Sequence, residues 1–243
     1  MTRPEESREF APGLSVRGFT PPLRLADFSL IAFDMDSSLI NIECVDEIAD
    51  VAGRKAEVAA ITEAAMRGEI ADYKASLRQR VALLKGVRRE DLETVYHTRL
   101  QLNPGVTELV RACQCAGLKT LLVSGGFTFF SDRVRDSLKL DYTRSNVLEL
   151  KDGVLTGRMV DQPWGDICDG EEKKRMLAAT CETLGLLPSQ AIAVGDGAND
   201  LPMMSIAGLS VAYRAKPAVR AQAMVAINAG GLDRLLEVLQ AAA

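Results

Sequence analysis

Three short apolar runs in this sequence end in the same abrupt way. Residues 28–33 (FSLIAF) run into Asp34-Met35-Asp36-Ser37-Ser38, residues 118–123 (LKTLLV) into Ser124-Gly125-Gly126, and residues 190–195 (QAIAVG) into Asp196-Gly197. Apolar runs of this length, separated by helical stretches, are the signature of buried parallel strands in an α/β fold. The expected architecture is a Rossmann-like parallel sheet core flanked by helices. In such a sheet the ligand crevice lies beyond the carboxyl ends of the strands, where all three polar endings fall.

The first two runs are too far apart for a simple crossover, which needs only about a dozen residues. Within the insertion, Ile42, Val45, Ile48, Ala49 and Ala52 recur at helical spacing, and segments stop at Gly53, Gly68 and Gly86. We therefore expect residues 41–102 to form a small helical cap inserted after the first core strand. Residues 25–40 and 103–243 would form the catalytic core, and 1–24 a flexible leader, since MTRPEESREFAPG is polar and acidic. Asn103-Pro104 reads as the cap and first residue of a helix that Gly117 closes. Residues 147–159 read as a hairpin turning at Asp152-Gly153, residues 171–184 as a helix, 209–213 as a strand and 232–241 as a last helix.

The polar endings carry the chemistry. Asp34 and Asp36, at i and i+2, would point the same way if the strand continued, and two carboxylates that close call for a cation or a proton between them. GDGAND (195–200) adds Asp196 and Asp200 at another strand end, with Asn199 as a neutral donor. Together these make a hard-oxygen site suited to Mg²⁺. Ser124, Gly125 and Gly126 could cradle phosphate oxygens with a hydroxyl and free N–H groups. Lys173 or Lys174, at the start of a helix, could add a positive charge. A carboxylate, a cation, a phosphate cradle and a second acid are the parts that attack on a phosphate monoester requires.

At these residues the chain resembles the haloacid dehalogenase superfamily, and within it the branch acting on phosphoserine. FDMDSSLI (33–40), LLVSGG (121–126), the Lys173 region and AVGDGAND (193–200) carry the resemblance; IECVDEIADVAG, ITEAAMRGEI and SLRQRVALL extend it through the cap. The resemblance implies that Asp34 is the nucleophile and Asp36 the general acid/base. It implies that Mg²⁺ is held by Asp34, Asp196 and the backbone carbonyl of Asp36, with Asp200 in support. Ser124, Gly125 and Lys173 would hold the phosphoryl group and Asn199 would touch substrate. Glu43 would meet the substrate ammonium, and Arg80 would clamp its carboxylate, a pairing suited to the zwitterion. The implied reaction is hydrolysis of phosphoserine to serine and phosphate through an aspartyl-phosphate. Ser38 stands where the family usually has Thr, and the stretch 160–170, with the only tryptophan, is longer than usual.

Other readings bound this one. Transfer of the phosphoryl group to another alcohol, or hydrolysis of another small phosphate ester, would use the same groups. A receiver-like signalling domain also phosphorylates an aspartate, but the cap and Asp36 argue against it. A dinucleotide site is disfavoured because GDGAND lacks the last glycine of G-x-G-x-x-G. No cysteine has an arginine six residues on, and the one histidine, His97, lies in the cap. The net charge of −4 offers no basic surface for nucleic acid, and no apolar run reaches the ~20 residues a membrane span needs. Five scattered cysteines read as reduced thiols of a cytoplasmic protein.

Overall fold

The computed structural model describes residues 6–66, 69–70 and 72–240; Gly68, read above as a helix stop, and residues 1–5 of the expected leader lie outside them. In chain order the strands and helices begin with β1 (Arg8–Ala11), β2 (Leu14–Val16), β3 (Leu23–Arg24) and β4 (Leu30–Phe33). There follow α1 (Cys44–Val51), α2 (Lys55–Met66), α3 (Tyr73–Ala82), α4 (Arg89–Thr98) and α5 (Val106–Cys115). Then come β5 (Lys119–Phe127), α6 (Thr128–Leu138), β6 (Tyr142–Lys151), β7 (Val154–Val160), α7 (Gly170–Thr183) and β8 (Ala191–Gly195). The chain ends with α8 (Leu201–Ile206), β9 (Leu209–Tyr213), α9 (Pro217–Arg220), β10 (Val225–Ile227) and β11 (Leu239–Gln240).

Among the described residues, nine strands form one sheet in the order β1-β2-β10-β9-β8-β4-β5-β6-β7. The six from β10 to β6 are mutually parallel, while β1, β2 and β7 run antiparallel to their neighbours. This is the parallel α/β sheet the apolar runs predict. Every residue of β4, β8 and β9 is buried, as expected of strands covered on both faces. β4 lies between β5 and β8, so the three runs that end in polar clusters are adjacent strands. Their carboxyl ends meet because the register aligns Phe33 with Leu122 and Val194.

Two expectations for the chain's ends are corrected. The stretch read as a flexible leader contains β1 and β2, and β2 pairs with β10 to lengthen the sheet. Leu14 and Val16 are buried on either side of a half-exposed Ser15, so a period-two strand pattern lay within the polar segment. It covers the β10 edge, which would otherwise be left open. The helix expected at 232–241, whose last residue lies outside the described residues, is instead a 3₁₀ segment, Leu232–Glu237, followed by β11 against β3. Leu232, Leu235 and Val238 recur every third residue, which stacks them on one face of a 3₁₀ helix.

α1 to α4 occupy the insertion, and the two linkers that join it to the sheet run side by side. Ile40 and Leu102 pair, Asn41 N–H donates to Gln101 O at 3.0 Å, and Asn103 N–H donates to Leu39 O at 2.9 Å. Asn103 does not cap a helix at Pro104; α5 starts at Val106 behind a left-handed Gly105. Its buried amide instead donates to Ser38 O and Ile40 O, each at 2.9 Å, and to Ser37 O at 3.2 Å. The hairpin β6–β7 turns through Asp152 and Gly153, both at positive φ, the geometry of a type I′ turn. It reaches back to the insertion: Gly86 N–H donates to Leu155 O and Arg89 N–H to Gly153 O.

Candidate active site

The strand ends open into a cleft of about 1100 Å³ whose opposite wall is α1 to α3. Asp34 follows β4 directly, anchored by its N–H to Val194 O at 2.9 Å, and is buried. Beyond it the strand stops. Ser37 takes φ 58°, and the chain closes a turn in which Ile40 N–H donates to Met35 O at 3.0 Å. Asp36 therefore does not continue a strand beside Asp34 as the spacing suggested. Its carboxylate is received at the start of α1, where Cys44 N–H donates to one oxygen at 3.0 Å and the Cys44 thiol to the other at 3.1 Å. Burial, then repulsion by Glu43, pushes Asp36 up to about 7.

Lys173 lies in the first turn of α7 with no exposed surface. Its ammonium donates to Asp34 Oδ1 at 2.6 Å and to Asp200 Oδ1 at 2.6 Å. Burial alone would lower its pKa, but the two carboxylates together outweigh this and hold it well above the ordinary value. The second oxygen of Asp200 accepts the N–H groups of Asp196 and Gly197, both at 3.0 Å. Asp200 thus shapes the loop that carries Asp196. Gly195 must be glycine here, because a Cβ would lie 2.4 Å from the Asp200 carboxyl carbon.

Carboxylate oxygens of Asp34, Asp196 and Asp200 lie within 4.8 Å of one another. Burial, then Asp200 and Glu43, pushes Asp196 up to about 7. Asp34 is also raised, by burial and by Asp200 and Asp196, although Lys173 pulls it down. One lysine does not balance two buried acids and a half-buried third, so a cation among them would relieve the residual repulsion. The donors are all oxygen, the set that hard cations take. The cluster fits a metal ion.

The third strand does not stop where its apolar run ends. β5 continues through Ser124, Gly125 and Gly126 to Phe127, and Ser124 Oγ accepts Gly126 N–H at 2.9 Å. Buried Asn146 on β6 fixes the backbone there, donating to Gly125 O at 2.8 Å and accepting Cys168 N–H at 2.8 Å. Tyr73, at the start of α3, reaches across the cleft; a Cβ on Gly125 would lie 2.0 Å from its hydroxyl. The next residue, Lys74, is tied to the core by Asp166 at 2.8 Å and Asp169 at 3.5 Å.

Glu43, Arg80 and Asn199 also line the cleft, so every site residue the resemblance implied borders it except Lys173 and Asp200, which are fully buried against one another. Glu43 accepts Ser37 Oγ–H at 2.6 Å. Tyr73, Cys44, Asn146 and Asp46 were not anticipated. Cys44 directly follows Glu43, but a cysteine gives no sign of serving a carboxylate, and Asn146 sits unmarked inside a strand.

A family model described as haloacid dehalogenase-like hydrolase matches residues 31–205, which run from β4 through α8. The chain belongs to that family. Among curated proteins it is 75% identical over 232 residues to the phosphoserine phosphatase of Polaromonas sp., covering 96% of this chain and 98% of that protein. It is 72% identical over 230 residues to the phosphoserine phosphatase of Albidiferax ferrireducens, covering 95% and 97%. A solved structure of a phospho-aspartyl intermediate analogue of phosphoserine phosphatase superposes with a TM-score of 0.80 at 36% identity, over 88% of this chain and 99% of that one. Among the described residues, no helix of this haloacid dehalogenase-like hydrolase is long and apolar enough to cross a membrane.

Proposed function

We propose that this hydrolase converts phosphoserine to serine and phosphate, with Asp34 as nucleophile. The observation that carries the chemistry is the buried Lys173 ammonium, 2.6 Å from both Asp34 and Asp200 at the ends of adjacent strands. It favours the ionised form of Asp34, against the burial and neighbouring acids that raise its pKa. Asp34 attacks phosphorus, and the P–O bond to serine breaks as Asp36 gives its proton to the departing alkoxide. Asp36, now a carboxylate, takes a proton from water, which attacks the aspartyl-phosphate and releases phosphate with Asp34 restored. A side chain with a pKa near 7 suits both halves of that cycle.

Ser124 Oγ, the Gly125 backbone and Lys173 hold the phosphoryl oxygens. Asp34, Asp196 and the Asp36 carbonyl, supported by Asp200, would hold Mg²⁺, which neutralises charge between nucleophile and phosphate when bound. Helices α1 to α4, residues 41–102, act as the cap. They bring Glu43 to the substrate ammonium and Arg80 to its carboxylate, and Asn199 contacts substrate from the core. Five free thiols suit a reducing compartment, the cytoplasm, where the reaction would supply serine for biosynthesis.

A panel of phosphomonoesters with Mg²⁺ tests this. Phosphoserine should be preferred, and Asp34→Asn should lower its turnover by at least about 10³-fold while the protein stays folded. Phosphoserine turning over no better than an unrelated ester would refute the substrate, and normal activity of Asp34→Asn would refute the nucleophile.

A further inference from the structure

Among the described residues, two buried polar atoms on the cap wall of the cleft have no partner, Asp46 Oδ1 on α1 and Arg80 Nε on α3. Leaving such atoms unpaired is costly, and native structures rarely tolerate it without a ligand or water to answer them. The neighbours on α1 are not in this state. Glu47 and Asp50 both accept from the Arg99 guanidinium, Glu47 at 2.6 Å. Of the acids on this helix, Asp46 alone faces the cleft with an open oxygen. Arg80 is the strongest charge acting on it, with Glu47 and Lys55 weaker.

The open pair specifies a ligand. Asp46 lacks a donor, and its charge favours a cationic one. Arg80 Nε lacks an acceptor, and its charge favours an anionic one. Both requirements on one wall describe an ammonium and a carboxylate carried close together, the head of an α-amino acid. We infer that Asp46 is a second acidic ligand of the substrate ammonium, acting beside Glu43 and opposite Arg80. This rests on the phosphoserine reading and deepens it. Glu43 is exposed and already shared with Ser37, whereas Asp46 is half-buried, and a charge there discriminates more strongly against ligands that cannot pair it.

The test compares Asp46→Asn with the wild type, both full-length with Mg²⁺, on three esters. Phosphoserine carries both head groups, phosphoethanolamine only the ammonium, and 3-phosphooxypropanoate only the carboxylate. The inference expects KM to rise about 10- to 100-fold for the first two and to change less than about twofold for the third. Losses on phosphoserine and 3-phosphooxypropanoate alone would overturn it, since Asp46 would then act by holding Arg80. Equal losses on all three, or none, would overturn it as well. Wild-type enzyme preferring p-nitrophenyl phosphate to phosphoserine would sink the substrate reading separately, and the amine-dependent contrast in Asp46→Asn would still decide the role of Asp46.

Discussion

Replacing Lys173 by Met removes a fully buried charge while keeping the side chain's length and apolar stem. Each contact, at 2.6 Å, is worth about 6 kcal/mol at an effective dielectric of ~20, so about 12 kcal/mol for the two. Against this stand the repulsion between Asp34 and Asp200 and the several kcal/mol that burying each ion costs. The expected net loss is the roughly 3–5 kcal/mol typical of breaking a buried pair from one side. In a chain of this size that lowers the melting midpoint by roughly 6–20 °C. Urea unfolding at pH 7.5 with a chelator present would measure it. Asp200→Asn added to the Lys173→Met protein removes one of the stranded carboxylates, so it should cost less there than in the wild type, by about 2 kcal/mol. A Lys173→Met protein within about 0.5 kcal/mol of wild type, or strictly additive losses, would refute the view that this lysine holds the site together.

Gly125→Ala puts a methyl group 2.0 Å from the Tyr73 hydroxyl, so turnover should fall about 10- to 100-fold. Tyr73→Phe leaves the ring carbon at 3.1 Å as the nearest obstacle and should restore much of that loss; no rescue would place the obstruction elsewhere. Asp196, raised to about 7 by burial and by Asp200, carries a proton below that pH which a bound cation must displace. Apparent Mg²⁺ affinity should therefore weaken up to about tenfold per unit as pH falls below 7. Calorimetry at about pH 6 in two buffers of different ionisation enthalpy would detect the released proton, and equal heats would contradict the assignment.

The core half of the site was legible because burial writes parallel strands as uninterrupted apolar runs. The residues just past each run are then conspicuous: Asp34, Ser124 and Asp196 stand where the apolar pattern breaks. Orientation was less legible. The i, i+2 spacing of Asp34 and Asp36 predicts a shared direction only if the strand persists, and Ser37 at positive φ shows that it does not. Nothing in a serine announces that conformation. Asn103 reads equally well as a helix cap, and its grip on Ile40 reaches across 63 residues of sequence. Strands β1 and β2 hid in a polar segment because only two of their residues, Leu14 and Val16, are fully buried. Asp46 and Glu47 look alike in sequence; only the position of Arg99 separates the paired acid from the open one.

Asp34 and Asp36 are two residues apart yet are held by different parts of the molecule. Val194 and Lys173, both of the sheet core, fix Asp34, while Cys44, the first residue of α1, fixes Asp36. The turn between them is the same piece of chain that enters the helical insertion, and Asn103 binds it to the piece that leaves. Any shift of α1 relative to the sheet must therefore move Asp36 against Asp34, because Cys44 at the start of α1 holds the acid directly. The same shift carries Glu43 and Asp46, at the start of α1, toward or away from the strand ends. On the proposed mechanism, docking an amino-acid head against that wall and setting Asp36 beside Asp34 would then be one displacement. On the same mechanism, a phosphate ester that lacks the head group would still meet Asp34, but with Asp36 held less firmly in line.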